Sequence, residues 1–357
     1  MGQIEPKHFI LGQDELILVT GATGFIGPRV VRALLDYGFR NLRCLARPTA
    51  DIAKVKSLTG LQRDGARVEV MRGNLLNRED CLAATEDVAL ILHLAAARGE
   101  KSFPEAFLNS VVTTRNLLEA TLQHKRLRRF VNVSSFAVYT NTQKPRWRLL
   151  DELCPVERHP ELRSDAYAFA KARQDDIVVE YGKQRGIPYV IVRPGYVFGA
   201  GNTAISGRVG VRSFGFFLHL GGSNRIPFTY VDNCTEAIVL AGVVPGIEGE
   251  VFNVVDDDLP TSRGFLRLYK RNVRRFKSLY LPHLVSYGLC YLWEKYSVWS
   301  QGQLPPVYTR RTWHAFWKKT RYSNDKLKTR LGWLPKVPMT EALDRYFDAC
   351  RAGVSHA

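Results

Sequence analysis

The stretch Leu16-Ile-Leu-Val-Thr-Gly-Ala-Thr-Gly-Phe-Ile-Gly27 decides the fold class of the chain. Its first five residues are typical of a buried strand, and from Ile26 onward apolar residues recur at helical spacing. Between strand and helix stand Gly21, Gly24 and Gly27, spaced one residue wider than the standard dinucleotide fingerprint. Glycines at such a turn let the backbone approach a pyrophosphate, which the helix N-terminus then stabilises. The stretch therefore predicts a dinucleotide-binding turn.

Strand-like and helical segments alternate outward from this turn through the first two-thirds of the chain. Further strand-like segments lie at residues 42–46, 67–72, 89–94, 129–133 and 189–192. Short strands that are apolar on both faces and joined by helices are typical of a parallel sheet covered on both sides. We therefore predict an α/β fold, with a Rossmann-type doubly wound parallel sheet and a smaller C-terminal substrate lobe.

The alternation also suggests where the two parts of the chain divide. After Arg193 it gives way to a glycine-rich stretch from Gly195 to Gly222, and beyond residue 260 the chain is basic and aromatic. We predict that residues 1–200 and 228–257 form the NAD(P)-binding domain. Residues 201–227 and 258–357 are then the substrate-binding lobe.

The charge of the 357-residue chain is concentrated in that lobe. The chain has 51 lysines and arginines against 34 acidic residues, a formal net charge of +17. Residues 261–357 hold 19 of the basic residues, 5 of the acidic ones and five of the six tryptophans. Candidate partners for such a region are nucleic acid, an anionic membrane surface or a phosphorylated substrate. Since the sequence contains no nucleic-acid-binding module, we expect no nucleic-acid partner.

The segment 270–321 allows two interpretations. Tyr, Trp and Leu interleave at 281–299, and basic clusters flank them at 270–277 and 310–321. Tyr and Trp favour the membrane–water interface, and each basic residue near anionic lipid contributes ~1 kcal/mol. The segment is either a contact with an anionic membrane surface or a lobe with an aromatic core and a solvated basic shell.

Other features bear on location and on metal binding. No apolar run approaches the ~20 residues needed to cross a bilayer, and residues 1–14 do not resemble a secretory signal. The six cysteines are scattered without a C-x-x-C pair, which suits a reducing compartment. None of the eight histidines forms a metal-like pair, so we expect no metal. The chain is predicted to be cytoplasmic, with peripheral attachment to a membrane as the open option.

Two further patterns concern chemistry. Tyr167-Ala-Phe-Ala-Lys171 places a phenol and an ammonium on one face of one helix, where the positive charge favours the phenolate. The run ending in Ser135 adds two hydroxyls at the carboxyl edge of the predicted sheet, where doubly wound folds bind ligands. At the end of the second strand Arg47 stands where an NAD-binding chain has an acid, which favours NADP(H) over NAD(H).

Together these residues resemble the extended short-chain dehydrogenase/reductase superfamily, in its NAD-dependent epimerase/dehydratase family. The matching segments, in the expected order, are Thr20–Gly27, Gly73–Leu75, His93–Ala97, Asn109, Ser134–Ser135, Tyr167–Lys171 and Arg193–Gly195. The resemblance covers residues 16–346. Within it, Arg193–Gly199 and Phe228–Asn233 are similar to the 3β-hydroxysteroid and sterol dehydrogenase branch, which we favour, or to dihydroflavonol-type reductases.

The resemblance implies roles for individual residues. Tyr167 would be the general acid/base on the substrate oxygen, and Ser135 would bind the same oxygen. Lys171 would bind the nicotinamide ribose and favour the phenolate, and Asn109 would complete the catalytic set. Asn74 stands where an Asp usually contacts adenine, a contact that an amide can also make. The expected cofactor-binding residues are Gly21, Thr23, Gly24, Phe25, Ile26, Gly27, Arg47, Asn74, Leu75, Leu94, Ala95, Ala96, Tyr167, Lys171 and Pro194.

The resemblance also narrows the reaction and the substrate. Sugar-nucleotide dehydratases carry an acid directly after the catalytic hydroxyl, whereas here Phe136 and Ala137 follow it, so no dehydration is expected. Tyr196 replaces an Asn typical of sugar-nucleotide enzymes, whereas Arg225 matches their diphosphate-binding arginine. Both are expected substrate residues.

We predict hydride transfer at a secondary alcohol or ketone of a sterol-like or other bulky substrate. A nucleotide-sugar (UDP-sugar) epimerase or reductase and a catalytically silent NADP(H)-binding regulator are the alternatives. Related enzymes often pair helices into dimers, so a homodimer is also expected.

Overall fold

The structure, a computed structural model, describes residues 9–59, 65–96, 102–142, 149–163, 165–213, 215–301, 303 and 308–354. Residues 1–8 of the predicted NAD(P)-binding domain, Ala97 of the His93–Ala97 motif and residues 304–307 lie outside this range. The strands are β1 (Leu16–Thr20), β2 (Asn41–Ala46), β3 (Arg67–Arg72), β4 (Val88–His93), β5 (Arg129–Val133), β6 (Leu149–Leu150), β7 (Tyr189–Pro194), β8 (Tyr196–Phe198), β9 (Gly210–Ser213), β10 (Phe216–His219), β11 (Phe228–Tyr230), β12 (Val251–Val254), β13 (Ser278–Tyr280) and β14 (Arg321–Tyr322).

Helices alternate with these strands. They are α1 (Gly27–Asp36), α2 (Ala53–Thr59), α3 (Arg78–Thr85), α4 (Phe103–Ala106), α5 (Thr113–Thr121), α6 (Ala166–Arg185), α7 (Val231–Val243), α8 (Ser262–Asn272), α9 (His283–Trp299), α10 (Arg310–Phe316), α11 (Asp325–Leu331) and α12 (Met339–Val354). A π-helical segment, Phe107–Val112, joins α4 to α5.

Seven parallel strands form the central sheet, in the order β3-β2-β1-β4-β5-β7-β12. The strand order reverses between β1 and β4, which is the point where doubly wound sheets bind ligands outside their carboxyl ends. Strands β4 and β5 are buried along their whole length, as their apolar sequences predict. The predicted Rossmann-type fold is confirmed.

Each face of the sheet has its own hydrophobic core. Alternate strand residues such as Val19 and Leu92 pack towards α1 and α7, and their neighbours Leu18 and Ile91 pack towards α3, α5 and α6. Because a fully buried Leu, Ile or Val contributes ~1.5–3 kcal/mol, these two layers hold the carboxyl edge of the sheet rigid. That edge positions the functional site.

A smaller lobe built from β9, β10, β13 and helices α8 to α10 lies beyond the sheet. Aromatic rings join it to the body, with the ring centroids of Phe198 and Phe228 4.6 Å apart and those of Phe228 and Phe265 5.1 Å apart. The chain then returns to the sheet, because Leu331 and Trp333 pack into the core beside α7. Residues assigned to the lobe on sequence thus include part of the core of the body, and the division into domains stays a prediction.

Candidate active site

The turn between β1 and α1 requires glycine at positions 21 and 27. Gly21 has φ +68°, and a Cβ there would lie 2.9 Å from the amide nitrogen of Ala95. A Cβ on Gly27 would lie 2.4 Å from the carbonyl oxygen of Gly21, and the amide of Gly24 donates to that same oxygen at 3.0 Å. The backbone therefore folds tightly around the N-terminus of α1 and leaves a cradle that a side chain would fill. Such a cradle suits a pyrophosphate.

A cleft of about 530 Å³ opens above this turn, within the range typical of ligand sites. It is lined by every predicted catalytic and cofactor-binding residue and by Tyr196. Among the other lining residues, Gly73, Ser134 and Gly195 belong to the motifs quoted above. The sequence analysis did not name the rest as site residues, and these are Leu45, Thr113, Val133, Val197 and Asn202. The volume and the glycine cradle fit a nicotinamide dinucleotide.

The local sequence explains why Tyr167 and Lys171 face this cleft. The Asp165 side chain accepts a hydrogen bond from the amide of Ala168 at 3.0 Å, which starts helix α6 one residue before Tyr167. One turn later Lys171 is buried and also lines the cleft. On the facing strand end, the hydroxyl of Ser135 accepts from the amide of Ala137 at 3.2 Å. The phenol, the ammonium and the hydroxyl thus share one cavity wall.

Two acceptors hold the ammonium group of Lys171. Its Nζ donates to the carbonyl oxygen of Val133 at 2.6 Å and to Oε1 of Gln174 at 2.8 Å. Burial lowers the pKa of Lys171 to about 8, and the Asp175 carboxylate acts in the opposite direction. The group is therefore still mostly charged at neutral pH, with two of its three hydrogens committed to the protein.

A buried chain of hydrogen bonds runs from this lysine to the phosphate-binding turn. Gln174 Nε2 donates to the Thr114 hydroxyl at 2.7 Å, and that hydroxyl contacts His93 Nε2 at 2.9 Å. His93 Nδ1 in turn contacts the Thr20 hydroxyl at 2.8 Å, and this hydroxyl accepts from the amide of Ala95 at 3.3 Å. The chain thus links α6, α5, β4 and β1.

The direction of each bond in this chain follows from counting hydrogens. The Thr114 hydroxyl donates its one hydrogen to the carbonyl oxygen of Ser110 at 2.5 Å, so it accepts from both Gln174 and His93. His93 therefore carries its hydrogen on Nε2, and Nδ1 accepts from Thr20. Burial, reinforced by the charge of Lys171, lowers the pKa of His93 to about 3, which keeps the ring neutral.

A second buried network surrounds Asp175, a residue that the sequence analysis missed. Its carboxylate accepts from Asn132 Nδ2 at 2.9 Å, from the Ser134 hydroxyl at 2.9 Å and from Arg193 Nη2 at 3.0 Å. Burial raises the pKa of Asp175, and the Arg193 guanidinium opposes the rise. The network ties α6 to the strand end that carries Ser135. One feature of the sequence could have indicated Asp175. It lies four residues after Lys171, which places it one turn further along the same face of α6.

The remaining predicted residues occupy different surroundings. Arg47 is exposed at the end of β2 and lines the cleft, and the Asn74 side chain accepts from the amide of Leu76 at 3.0 Å. The Tyr196 hydroxyl donates to the carbonyl oxygen of Ala204 at 2.8 Å. Arg225 is exposed and does not line the cleft. It donates to the carbonyl oxygen of Leu259 at 2.8 Å.

The described part of the chain offers no alternative metal chemistry and no membrane span. Within it, no group of three or more His, Cys, Asp or Glu side chains could hold a metal ion. None of its helices has both the length and the apolar sequence needed to pass through a bilayer.

The chain is similar to known proteins along most of its length. The model of the NAD dependent epimerase/dehydratase family matches residues 17–254. The chain is 25% identical over 342 residues to 4-hydroxy-2-methyl-3-oxo-4-farnesyl-3,4-dihydroquinoline-1-oxide ketoreductase of Stigmatella aurantiaca, covering 94% of this chain and 96% of that protein. It is 23% identical over 360 residues to 3beta-hydroxysteroid-dehydrogenase/decarboxylase isoform 1 of Arabidopsis thaliana, covering 93% and 79% respectively.

A solved structure shows the same fold. UDP-glucuronic acid 4-epimerase from Bacillus cereus in complex with NAD superposes with a TM-score of 0.67 at 23% identity. The alignment covers 94% of this chain and 99% of that one. The family match confirms the resemblance inferred from the motifs, and this family uses nicotinamide cofactors.

Proposed function

Because this chain belongs to the NAD dependent epimerase/dehydratase family, we propose that it transfers a hydride at a secondary alcohol or ketone of a sterol-like or other bulky substrate. It is an NAD(P)-dependent dehydrogenase, reductase or epimerase of the extended short-chain dehydrogenase/reductase type. One observation carries the proposal: Ser135, Tyr167 and Lys171 line the same cleft as the glycine turn at residues 21–27.

Each of these side chains has a task in the proposed reaction. Tyr167 donates its phenolic proton to the substrate oxygen during reduction and takes a proton from it during oxidation. Ser135 donates a hydrogen bond to the same oxygen and holds it against the phenol. The Lys171 ammonium favours the phenolate by its charge, and its third hydrogen serves the cofactor ribose. When bound, the nicotinamide supplies or accepts the hydride.

The charges in the cleft favour oxidation and reduction over dehydration. None of the described residues that line it is Asp, Glu or His, and the charged ones are Arg47 and Lys171. Removal of water from a sugar needs an additional acid or base, and Phe136, directly after Ser135, is a buried aromatic residue. Net redox chemistry and epimerisation by transient oxidation both remain compatible with this lining.

Two observations support a bulky apolar substrate. Arg225, the arginine expected to bind a nucleotide diphosphate, does not line the cleft. Two relatives that align along most of this chain bear the names of a farnesyl-dihydroquinoline oxide ketoreductase and a hydroxysteroid dehydrogenase. Since such substrates dissolve poorly in water, the proposal includes an anionic membrane surface, met through residues 270–321, as their source.

The nucleotide-sugar epimerase or reductase is the second candidate, and the fold of the Bacillus cereus enzyme favours it. An epimerase has to retain its cofactor between half-reactions, so the purified protein would then carry a nicotinamide spectrum. A catalytically silent NADP(H)-binding regulator would bind the cofactor and turn over none of the substrates tested. The expected homodimer is also a proposal, which analytical ultracentrifugation tests.

The test of the main proposal is a substrate panel of sterol ketones, quinoline ketones and UDP-sugars, followed by nicotinamide absorbance. Replacing Tyr167→Phe should lower kcat by about 10²–10⁴ and leave cofactor affinity within about twofold, because only the proton donor is removed. Tyr181→Phe, on the same helix but outside the cleft, is the matched control. Full turnover by the Tyr167 variant would rule out the proposed mechanism.

We further propose NADP(H) over NAD(H) because Arg47 provides a cation at the end of β2, on the cleft wall. Replacing Arg47→Ala should raise the Kd for NADPH about tenfold and leave that for NADH unchanged, since only NADPH has the 2′-phosphate. Arg40→Ala, just before the other end of the same strand, controls for the lost charge. An equal loss for both cofactors would contradict the preference.

A further inference from the structure

Helix α9 distributes its side chains in the opposite way to an ordinary surface helix. Of its 17 residues only Glu294 and Lys295 carry a full charge, and its buried positions are Ser286, Cys290 and Ser297. The apolar and aromatic side chains on its exposed face are Leu284, Val285, Leu289, Tyr291, Leu292, Trp293, Tyr296, Val298 and Trp299. We call this set the α9 face.

The α9 face is wide and well exposed. At 100° per residue its nine positions spread over more than half of the helix circumference. Leu284, Val298 and Trp299 are 75%, 75% and 76% exposed, and Leu292 is 62% exposed. Strand β13, immediately before the helix, adds Leu279 at 56%. A contiguous apolar surface of this kind on a folded chain marks an interaction site.

Cations border the α9 face. Residues 270–321 contain eleven lysines and arginines but a single acid, Glu294. The acid accepts from Arg310 Nε at 3.0 Å, so this pair has no net charge, and the segment has no acid to balance its other ten basic residues. The Arg310 guanidinium lies 5.0 Å from the ring centroid of Tyr291, and Lys295 Nζ lies 5.7 Å from the same ring. Apolar side chains and positive charge therefore meet on one surface.

We infer that the α9 face is a docking surface for an anionic lipid bilayer. The aliphatic side chains would enter the acyl boundary, Tyr and Trp would lie at the interface, and the cations would meet the headgroups. Because none of the helices in the described residues can span a bilayer, α9 would lie in the plane of the surface.

Other occupants fit this surface less well. A second copy of the chain would bring its own basic border against the first, and like charges would oppose the contact. Nucleic acid would satisfy the cations and could stack on the tyrosine and tryptophan rings, but it would leave the exposed leucines and valines of the α9 face without an apolar partner. The inference rests on the membrane contact proposed above and narrows it from residues 270–321 to the α9 face. It concerns binding alone, so its test is separate from that of the proposed reaction.

The experiment is flotation of the full chain with two kinds of vesicle, phosphatidylcholine alone and phosphatidylcholine with phosphatidylglycerol. The wild type should float with the anionic vesicles, and added salt should weaken that binding. The double variant Leu292→Gln/Trp299→Gln should bind them at least about tenfold more weakly. Leu153→Gln/Leu334→Gln, which alters two exposed leucines elsewhere, is the matched control and should bind as the wild type does.

Three results would overturn the inference. The first is a wild type that stays unbound to anionic vesicles at low salt. The second is a double variant that floats as well as the wild type, which would assign binding to the cations alone. The third is a dimer in analytical ultracentrifugation that the double variant abolishes without any vesicle binding, which would assign the α9 face to a second copy. Equal thermal unfolding of all variants excludes misfolding as the cause.

Discussion

Helices α6 and α9 depart from the usual distribution of side chains in opposite directions. Helix α6 buries Lys171, Gln174 and Asp175 against the sheet, whereas α9 buries two serines and turns leucines, valines and tryptophans towards solvent. A protein tolerates a buried charge only when that charge is paired. It tolerates an exposed apolar face only when the rest of the fold is stable without covering that face. The difference shows that function can override the usual placement of side chains, which is polar outside and apolar inside, in both directions. A site for chemistry puts polar groups inside, and a contact surface puts apolar groups outside.

The comparison predicts stability effects of very different size for the two helices. Asp175→Ala should lower the free energy of unfolding by about 3–5 kcal/mol, because it leaves the Arg193 guanidinium buried without its partner. Leu292→Gln, on α9, should change it by less than about 0.5 kcal/mol. Denaturant unfolding measures both, and Asp176→Ala, the exposed neighbour paired with Arg173, is the control. If Asp175→Ala lowered the free energy of unfolding as little as Asp176→Ala does, the hydrogen-bond network around Asp175 would not contribute to stability.

A second prediction concerns two glycines, and it separates the effect of a positive φ from the effect of a close contact with neighbouring backbone. Gly21 and Gly186 have φ of +68° and +69°, but only the first faces a nearby backbone, that of Ala95. Both substitutions to alanine should cost about 1 kcal/mol of stability through strain alone. Gly21→Ala should also raise the Kd for the nicotinamide cofactor about 10–100-fold, because the turn has to move away from the pyrophosphate. Fluorescence titration of NADPH measures the effect, and equal affinities for the two variants would contradict it.

A third prediction uses pH to test the neutral ring of His93. Its pKa in the folded chain, about 3, lies below the unfolded value of 6.5, so between these values the unfolded state holds one more proton. The free energy of unfolding should therefore fall as pH drops from about 6.5 towards 3, by up to about 1.4 kcal/mol per pH unit from this residue. In His93→Gln that contribution should be absent. The curves of unfolding free energy against pH for the wild type and the variant should therefore converge at low pH. Parallel curves would mean that the pKa of His93 is the same in the folded and the unfolded chain, which would contradict the neutral buried ring.

The sequence predicted the elements that depend on local pattern. The strand-like segments at 67–72 and 129–133 match β3 and β5, and the helix expected from Ile26 begins at Gly27. The glycine turn, Ser135 and the Tyr167/Lys171 pair could be found because strand, turn and helix residues stand next to each other in the chain. The structure places all of them on one cleft.

What the sequence could not supply depends on contacts between distant residues. Gln174 meets Thr114 from 60 positions away, and no periodicity marks such a pair. The segment 281–299 had two interpretations because its pattern is the same for a covered core and for an exposed face. Only the packing of Ser286 and Cys290 inward shows which side of α9 is left open.

The return of the C-terminus to the sheet has a consequence for synthesis on the ribosome. Trp333 is 1% exposed in the core of the body, and its Nε1 donates to the carbonyl oxygen of Asn233 at 3.0 Å. The last strand of the central sheet ends at Val254. One face of the nascent sheet therefore stays uncovered until the segment that carries Trp333 has been synthesised. At translation rates of roughly 5–20 residues per second, that wait lasts several seconds. During this interval the apolar α9 face has already been made, and the unfinished body and the contact surface are exposed together.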